Sequence, residues 1–197
     1  MIKMERAPVP ECLKENYKQW GHEYALKTRN NSAYRFKWKS WKGKAVDGLI
    51  KPELVRITKN HCSYCDSYPL GVASQQTIDH FRPKKQFPFL VYVWHNLFLA
   101  CNVCQSAKQD YYDKKLLKPD TTSYAFEKYF VINYKTGCIE VNPGASVKDQ
   151  ERARLTMKVF GLNKRGRPHS RLREYQKYQD LCQKGYCIDD FSYRFFM

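Results

Sequence analysis

The sequence predicts an α+β chain built round a zinc-supported ββα unit, with flanking helices and a β-hairpin plus helices toward its C-terminal end. Three observations predict it. Two cysteine pairs, Cys62-x2-Cys65 and Cys101-x2-Cys104, each offer two thiolates from one turn, the spacing of a tetrahedral Zn²⁺ site. Between the pairs, residues 75–79 and 96–100 read as short strands joined by a loop rich in Pro and aromatics, and a helix beginning near Gln105 completes the unit. Outside the pairs lie stretches whose apolar residues recur at helical spacing.

Taken in order, Pro8-Val9-Pro10 precedes residues 11–26, where Leu13, Tyr17, Trp20 and Tyr24 mark one face of an amphipathic helix. Asn30-Asn31-Ser32 breaks the pattern, and an aromatic-basic stretch, Tyr34-Arg35-Phe36-Lys37-Trp38-Lys39-Ser40-Trp41-Lys42, follows, punctuated by Gly43 and Gly48. Residues 52–59 predict a short helix with Pro52 in its first turn, where a missing N–H is harmless. After the zinc frame, residues 129–134 and 138–141 flank Lys135-Thr136-Gly137 as a hairpin. Residues 146–160 predict a helix with Val147, Ala153, Leu155 and Val159 available to the core and Gly161 as its stop. A last helix, about 170–183, carries Leu172, Tyr175, Tyr178 and Leu181 on a mixed face. With 197 residues the expectation is one domain: an N-terminal helical and aromatic-basic extension (1–60), the zinc-framed core (61–120), and the hairpin with C-terminal helices (121–197).

Lys and Arg number 35 against 19 Asp and Glu, a formal charge of +16 that draws in polyanions, nucleic acid first among them. The rings of the aromatic-basic stretch suit stacking on bases while its cations meet phosphates; the same composition also describes a surface strand or a partner-docking segment. No run of about 18 apolar residues occurs and no signal-peptide core follows Met1, so a cytoplasmic protein without a membrane span is expected. In a reducing compartment the paired cysteines favour metal over disulfides, and Cys12, Cys138, Cys182 and Cys187 read as ordinary thiols.

Within the zinc frame, Asp79-His80 sets a hard oxygen ligand beside an imidazole titrating near neutrality, a combination suited to hydrolysis by one metal and one general base. Arg82 and Lys84 follow directly, placed to clamp a phosphate. Lys108, one turn beyond Gln105, is a further phosphate contact, or simply a solvated helix lysine. Trp94 is most simply core. Neither a Cys2His2 finger, nor a helix-turn-helix, nor a phosphate-binding P-loop is present, which weighs against a sequence-specific regulator and assigns any ATP requirement to a partner.

In order, Cys62-x2-Cys65, Asp79-His80, Asn96 and Cys101-x2-Cys104-Gln105-x2-Lys108 resemble the zinc-supported branch of the HNH endonuclease superfamily, with its ββα-metal core. The segments His80-Phe81-Arg82-Pro83-Lys84, Trp94-x-Asn96-Leu97, Leu116-Leu117-Lys118-Pro119 and Gly161-Leu162-Asn163 further look like the PtuB-type HNH proteins of Septu and retron-Septu antiphage defence, a likeness that runs through most of residues 1–175. The resemblance implies His80 as general base, Asp79 as ligand to a catalytic Mg²⁺ or Mn²⁺, and Asn96 as the residue that braces the loop and aims the histidine. It implies structural Zn²⁺ on the four cysteines and phosphodiester hydrolysis leaving a 5′-phosphate and a 3′-hydroxyl. It also implies a PtuA-type ATPase as partner, joined in a retron by a reverse transcriptase and its RNA-DNA product. DNA is the default substrate and tRNA or other RNA the alternative. The chain departs from the pattern after Cys104, where Gln105 replaces His or Asn: either its amide oxygen ligates the metal, or substrate and water complete the shell, or the enzyme is slow without a partner. A zinc-binding adaptor that docks nucleic acid or the ATPase is the competing reading.

Overall fold

A computed structural model describes residues 1–197. The chain is α+β, and the two expected strands between the cysteine pairs meet and run into a helix. Strand β3 (Gln76–His80) pairs antiparallel with β4 (Leu97–Cys101) in a register that sets His80 opposite Leu97 and Gln76 opposite Cys101. All of β4 is buried, as its unbroken run Leu-Phe-Leu-Ala-Cys requires. Helix α3 (Asn102–Lys108) follows without a linker, because the Cys101 sulfur accepts the Cys104 N–H and caps it. The helix therefore starts three residues before the predicted Gln105, which lies in mid-helix.

Ahead of this unit, α1 (Glu11–Asn30) buries Cys12, Leu13, Trp20 and Gly21 and runs four residues past the predicted end, its last turn carrying Lys27 and Arg29 at the negative pole. A two-residue hairpin, β1 (Ser40–Trp41) and β2 (Lys44–Ala45), leads into α2 (Val46–Thr58). That helix begins well before residue 52 and carries Pro52 inside it. Gly48, whose carbonyl loses its partner to the proline, is exposed, so water can satisfy it. Burial of Val46, Ile50, Leu54 and Thr58 at four-residue intervals holds α2 together across both breakers.

In the C-terminal part, α4 (Phe126–Tyr129) opens into the hairpin β5 (Phe130–Asn133) and β6 (Cys138–Val141). Gly137 (φ 73°) turns it: a Cβ there would fall 2.1 Å from the Pro168 carbonyl oxygen. Helix α5 (Val147–Phe160) is stopped by Gly161 as expected and capped by Ser146; it buries Ala153, Thr156 and Phe160, whereas Val147, expected to be available to the core, lies in the first turn and is exposed. Helix α6 (Arg167–Leu181) starts three residues earlier than predicted and is anchored differently. Its buried residues are Arg167 and Arg171; Leu172, Tyr175 and Tyr178 are half-buried. Arg171 donates to the carbonyls of Gly137 and Leu162 and to Asn163 Oδ1, tying hairpin, α5 exit and α6 together. No helix is long and apolar enough to cross a membrane.

Candidate functional site

The four cysteines of the two pairs are all buried, and their sulfur atoms lie within 4.8 Å of one another. Burial pushes the Cys62 and Cys104 thiols up, whereas sulfur-sulfur hydrogen bonds hold Cys65 and Cys101 down. The four sulfurs lie round one small volume, and their donor set fits a zinc ion held by four thiolates. The sequence gives no sign of a fifth participant, Arg167, whose guanidinium donates to Cys104 Sγ at 3.1 Å and to the carbonyls of Phe160 and Gly161. Burial alone would lower its pKa, but the surrounding cysteines raise it above the ordinary value.

The second cluster lies at the far end of β3. Here His80 Nε2 is 2.9 Å from the Val91 carbonyl oxygen, a contact only an N–H can make, which fixes the proton on Nε2 and leaves a lone pair on Nδ1. Nδ1 is buried and has no partner. The imidazole is enclosed by Phe36 (ring centroids 5.3 Å, edge-on) and Trp38 (5.8 Å, stacked). Burial first, and then the Lys84 ammonium, push its pKa down to about 3, so it is neutral. The aromatic-basic stretch flagged these two rings; nothing in it showed that they cover a histidine.

Asn96 sits at the other edge of the hairpin loop and spends its whole amide on it. Oδ1 accepts from Arg82 N at 2.7 Å, and Nδ2 donates to the carbonyls of Arg82 and Leu90. Since Val91 follows Leu90, the amide also fixes the carbonyl that orients His80.

Asp79, one residue before His80, points to the opposite face of the strand. Its Oδ2 accepts the Tyr64 hydroxyl at 2.7 Å and lies 3.2 Å from Lys108 Nζ. Burial, and then the carboxylate, raise the Tyr64 pKa well above the ordinary value, so the phenol stays a donor. Lys108 is buried and also donates to the His80 carbonyl at 2.7 Å. This corrects the expectation of a phosphate-binding surface lysine: Lys108 reaches inward because a buried carboxylate and carbonyl await it. Gln105 is half-buried, with a long bond of 3.4 Å from Nε2 to the Ile78 carbonyl. As arranged, Asp79 and Gln105 do not fit the catalytic divalent cation that the resemblance implies, because an ammonium already stands against the carboxylate. The four cysteines are the one group of three or more His, Cys, Asp or Glu ligands that converge.

Arg82 is exposed, its guanidinium 5.7 Å from the Phe87 ring and 5.5 Å from Tyr112. Lys84 is half-buried with Nζ 5.3 Å from the Phe36 ring, and burial lowers its pKa. Both cations therefore stand on the loop that Asn96 braces. His95 is exposed and faces Asp120 at 3.6 Å, with no part in this cluster.

No protein-family model matches the sequence. It is similar to the Septu protein PtuB of Bacillus mycoides (strain KBAB4), 29% identical over 132 residues that cover 57% of this chain and 42% of that protein. It is also similar to the Septu protein PtuB of Bacillus thuringiensis, 33% identical over 66 residues that cover 34% of this chain and 26% of that protein. The matched stretch thus spans less than half the length of either relative. The chain is thus similar to proteins named Septu protein PtuB, over more than half of its own length in one case and about a third in the other.

Proposed function

We propose that the chain is a single HNH-type nuclease domain acting as the nucleic-acid-cutting component of a Septu-type antiviral defence system, with a PtuA-type ATPase as partner. The observation that carries this reading is the buried, unpartnered lone pair on His80 Nδ1, aimed by the Nε2–Val91 contact. A neutral imidazole in that tautomer accepts a proton from water as the oxygen attacks phosphorus. A pKa near 3 makes a weak base, but its two largest causes are burial and the Lys84 ammonium, which displacement of Phe36 and Trp38 and a bound phosphate anion would offset. Arg82 and Lys84 neutralise the scissile phosphate, and Asn96 keeps the loop that carries them in register with His80. Attack on phosphorus needs no 2′-hydroxyl, so these residues serve DNA and RNA alike. A retron partnership, with its reverse transcriptase and RNA-DNA product, would add a nucleic acid without changing this chemistry.

A second reading, a zinc-binding adaptor without catalysis, is favoured by one observation: Lys108 fills the place beside Asp79 where a metal was expected. Cleavage assays on DNA and RNA with added Mg²⁺ or Mn²⁺ and the partner ATPase separate the two. Loss of cleavage in His80→Ala, with zinc content unchanged, supports the nuclease; undiminished cleavage sinks it.

A further inference from the structure

Beside His80 runs a groove of about 850 Å³ between the second half of α1, the extended chain after it, and the loop of residues 84–89. Arg29, Arg35, Lys84 and Lys85 lie along it with Asp110 the one acidic residue on its lining, so its charge complements a phosphate backbone. Tyr34, Phe36 and Phe89 interleave with these cations. Phe89 is 58% exposed, although burial of such a ring is favourable. It is held there by a close backbone contact: Gly21 lets the Pro88–Leu90 turn sit so near α1 that a Cβ would fall 2.5 Å from the Phe89 carbonyl oxygen. Phe36 lines the groove and is the same ring that packs edge-on against His80.

We propose that this groove binds unpaired nucleotides of the strand to be cut, stacked on Phe89 and Tyr34, with their phosphates on Arg35 and Lys85; the proposal rests on the nuclease reading. A duplex turns its base edges outward and hides its ring faces, so aromatic faces in a concave wall select unstacked bases. A strand lying there leads past Lys84 to Phe36, and its next phosphate reaches His80.

Binding of the full chain to a labelled 20-nucleotide single-stranded DNA, the same-length RNA and a 20-base-pair DNA duplex, read by fluorescence anisotropy without cleavage, tests this. Phe89→Ala and Arg35→Ala, both surface changes checked for unchanged zinc content and melting temperature, are each expected to weaken single-strand binding about tenfold, from the worth of one stacked base or one desolvated phosphate contact. Duplex binding should change by less than about threefold. A stronger effect on either the DNA or the RNA strand supports the groove and identifies the sugar. Equal losses on single strand and duplex, or no loss on either, overturn it. Since binding is read without cleavage, a failed groove and a failed nuclease are separate results: His80→Ala decides only the second.

Discussion

Lys108 Nζ stands 3.2 Å from a carboxylate oxygen of Asp79, with the two side chains 1% and 6% exposed. Removing one member of such a pair strands the other in a medium that cannot solvate it, at about 3–5 kcal/mol, whereas neutralising both is far milder. Lys108→Met is therefore expected to lower the urea-unfolding free energy by about that amount, and Asp79→Asn added to it should restore most of the loss. The same single change frees the carboxylate, so Mn²⁺ should stabilise Lys108→Met more than it stabilises the wild-type chain. A double variant no more stable than the single one would remove the pairing argument.

The buried His80 gives a pH signature whose sign follows from its depressed pKa. Folded, the imidazole holds out to about 3; unfolded, it takes its proton near 6.5. Between those values the unfolded chain binds the extra proton, so stability is fully present above 6.5 and is lost as pH falls toward 3. From pH 7.5 to 5.0 the wild type should lose about 2 kcal/mol more than His80→Gln, which cannot titrate. Protonation of the zinc cysteines affects both chains alike and cancels in the difference. Parallel stability curves for the two proteins would contradict the enclosure of the ring.

Arg167 donates to a sulfur of the cysteine cluster from a helix that begins far along the chain. Four thiolates on Zn²⁺ carry net negative charge, and a buried guanidinium offsets it. Outer-shell partners of this kind are worth roughly 10–100-fold in metal affinity. Arg167→Leu should release zinc to a competing chelator at a concentration lower by about that factor, measured at a temperature where the variant is folded. Identical competition curves would leave the arginine only its two carbonyl bonds.

What the sequence disclosed and what it hid divide along physical lines. The cysteine pairs were legible because a CxxC turn carries its geometry in its spacing; Asn96 was marked only by the family resemblance, and Asp79, read as a metal ligand, is held instead by Tyr64 and Lys108. Strands β3 and β4 and helix α5 were legible because strand propensity or apolar spacing with a Gly161 stop bounded them. The first half of helix α2 was hidden by Gly48 and Pro52, local breakers that burial of Ile50 and Leu54 overrides. The start of α3 was hidden because Cys101, which no propensity scale counts as a cap, uses its sulfur as one. Lys108 read as a surface cation, and Arg167 and Arg171 drew no reading, because their acceptors, a carboxylate, a sulfur and several carbonyls, come from elsewhere in the chain.

Asn96 offers the sharpest test of the loop. Its Nδ2 donates to two carbonyls and its Oδ1 accepts one backbone N–H, all with the side chain buried. Asn96→Asp keeps the shape and the accepting oxygen but turns the donor into a second oxygen facing two carbonyls. Leaving those buried acceptors unpaired costs on the order of 1–3 kcal/mol each at most, and the new charge adds to it. Asn96→Ala removes the group without the repulsion and should be the milder of the two in thermal unfolding. Because Leu90 precedes the carbonyl that holds His80 Nε2, both variants should lose more cleavage than stability explains, with Asp worse than Ala. Near-wild-type cleavage by a folded Asn96→Ala would show that the loop holds its shape, and the histidine its aim, without this amide.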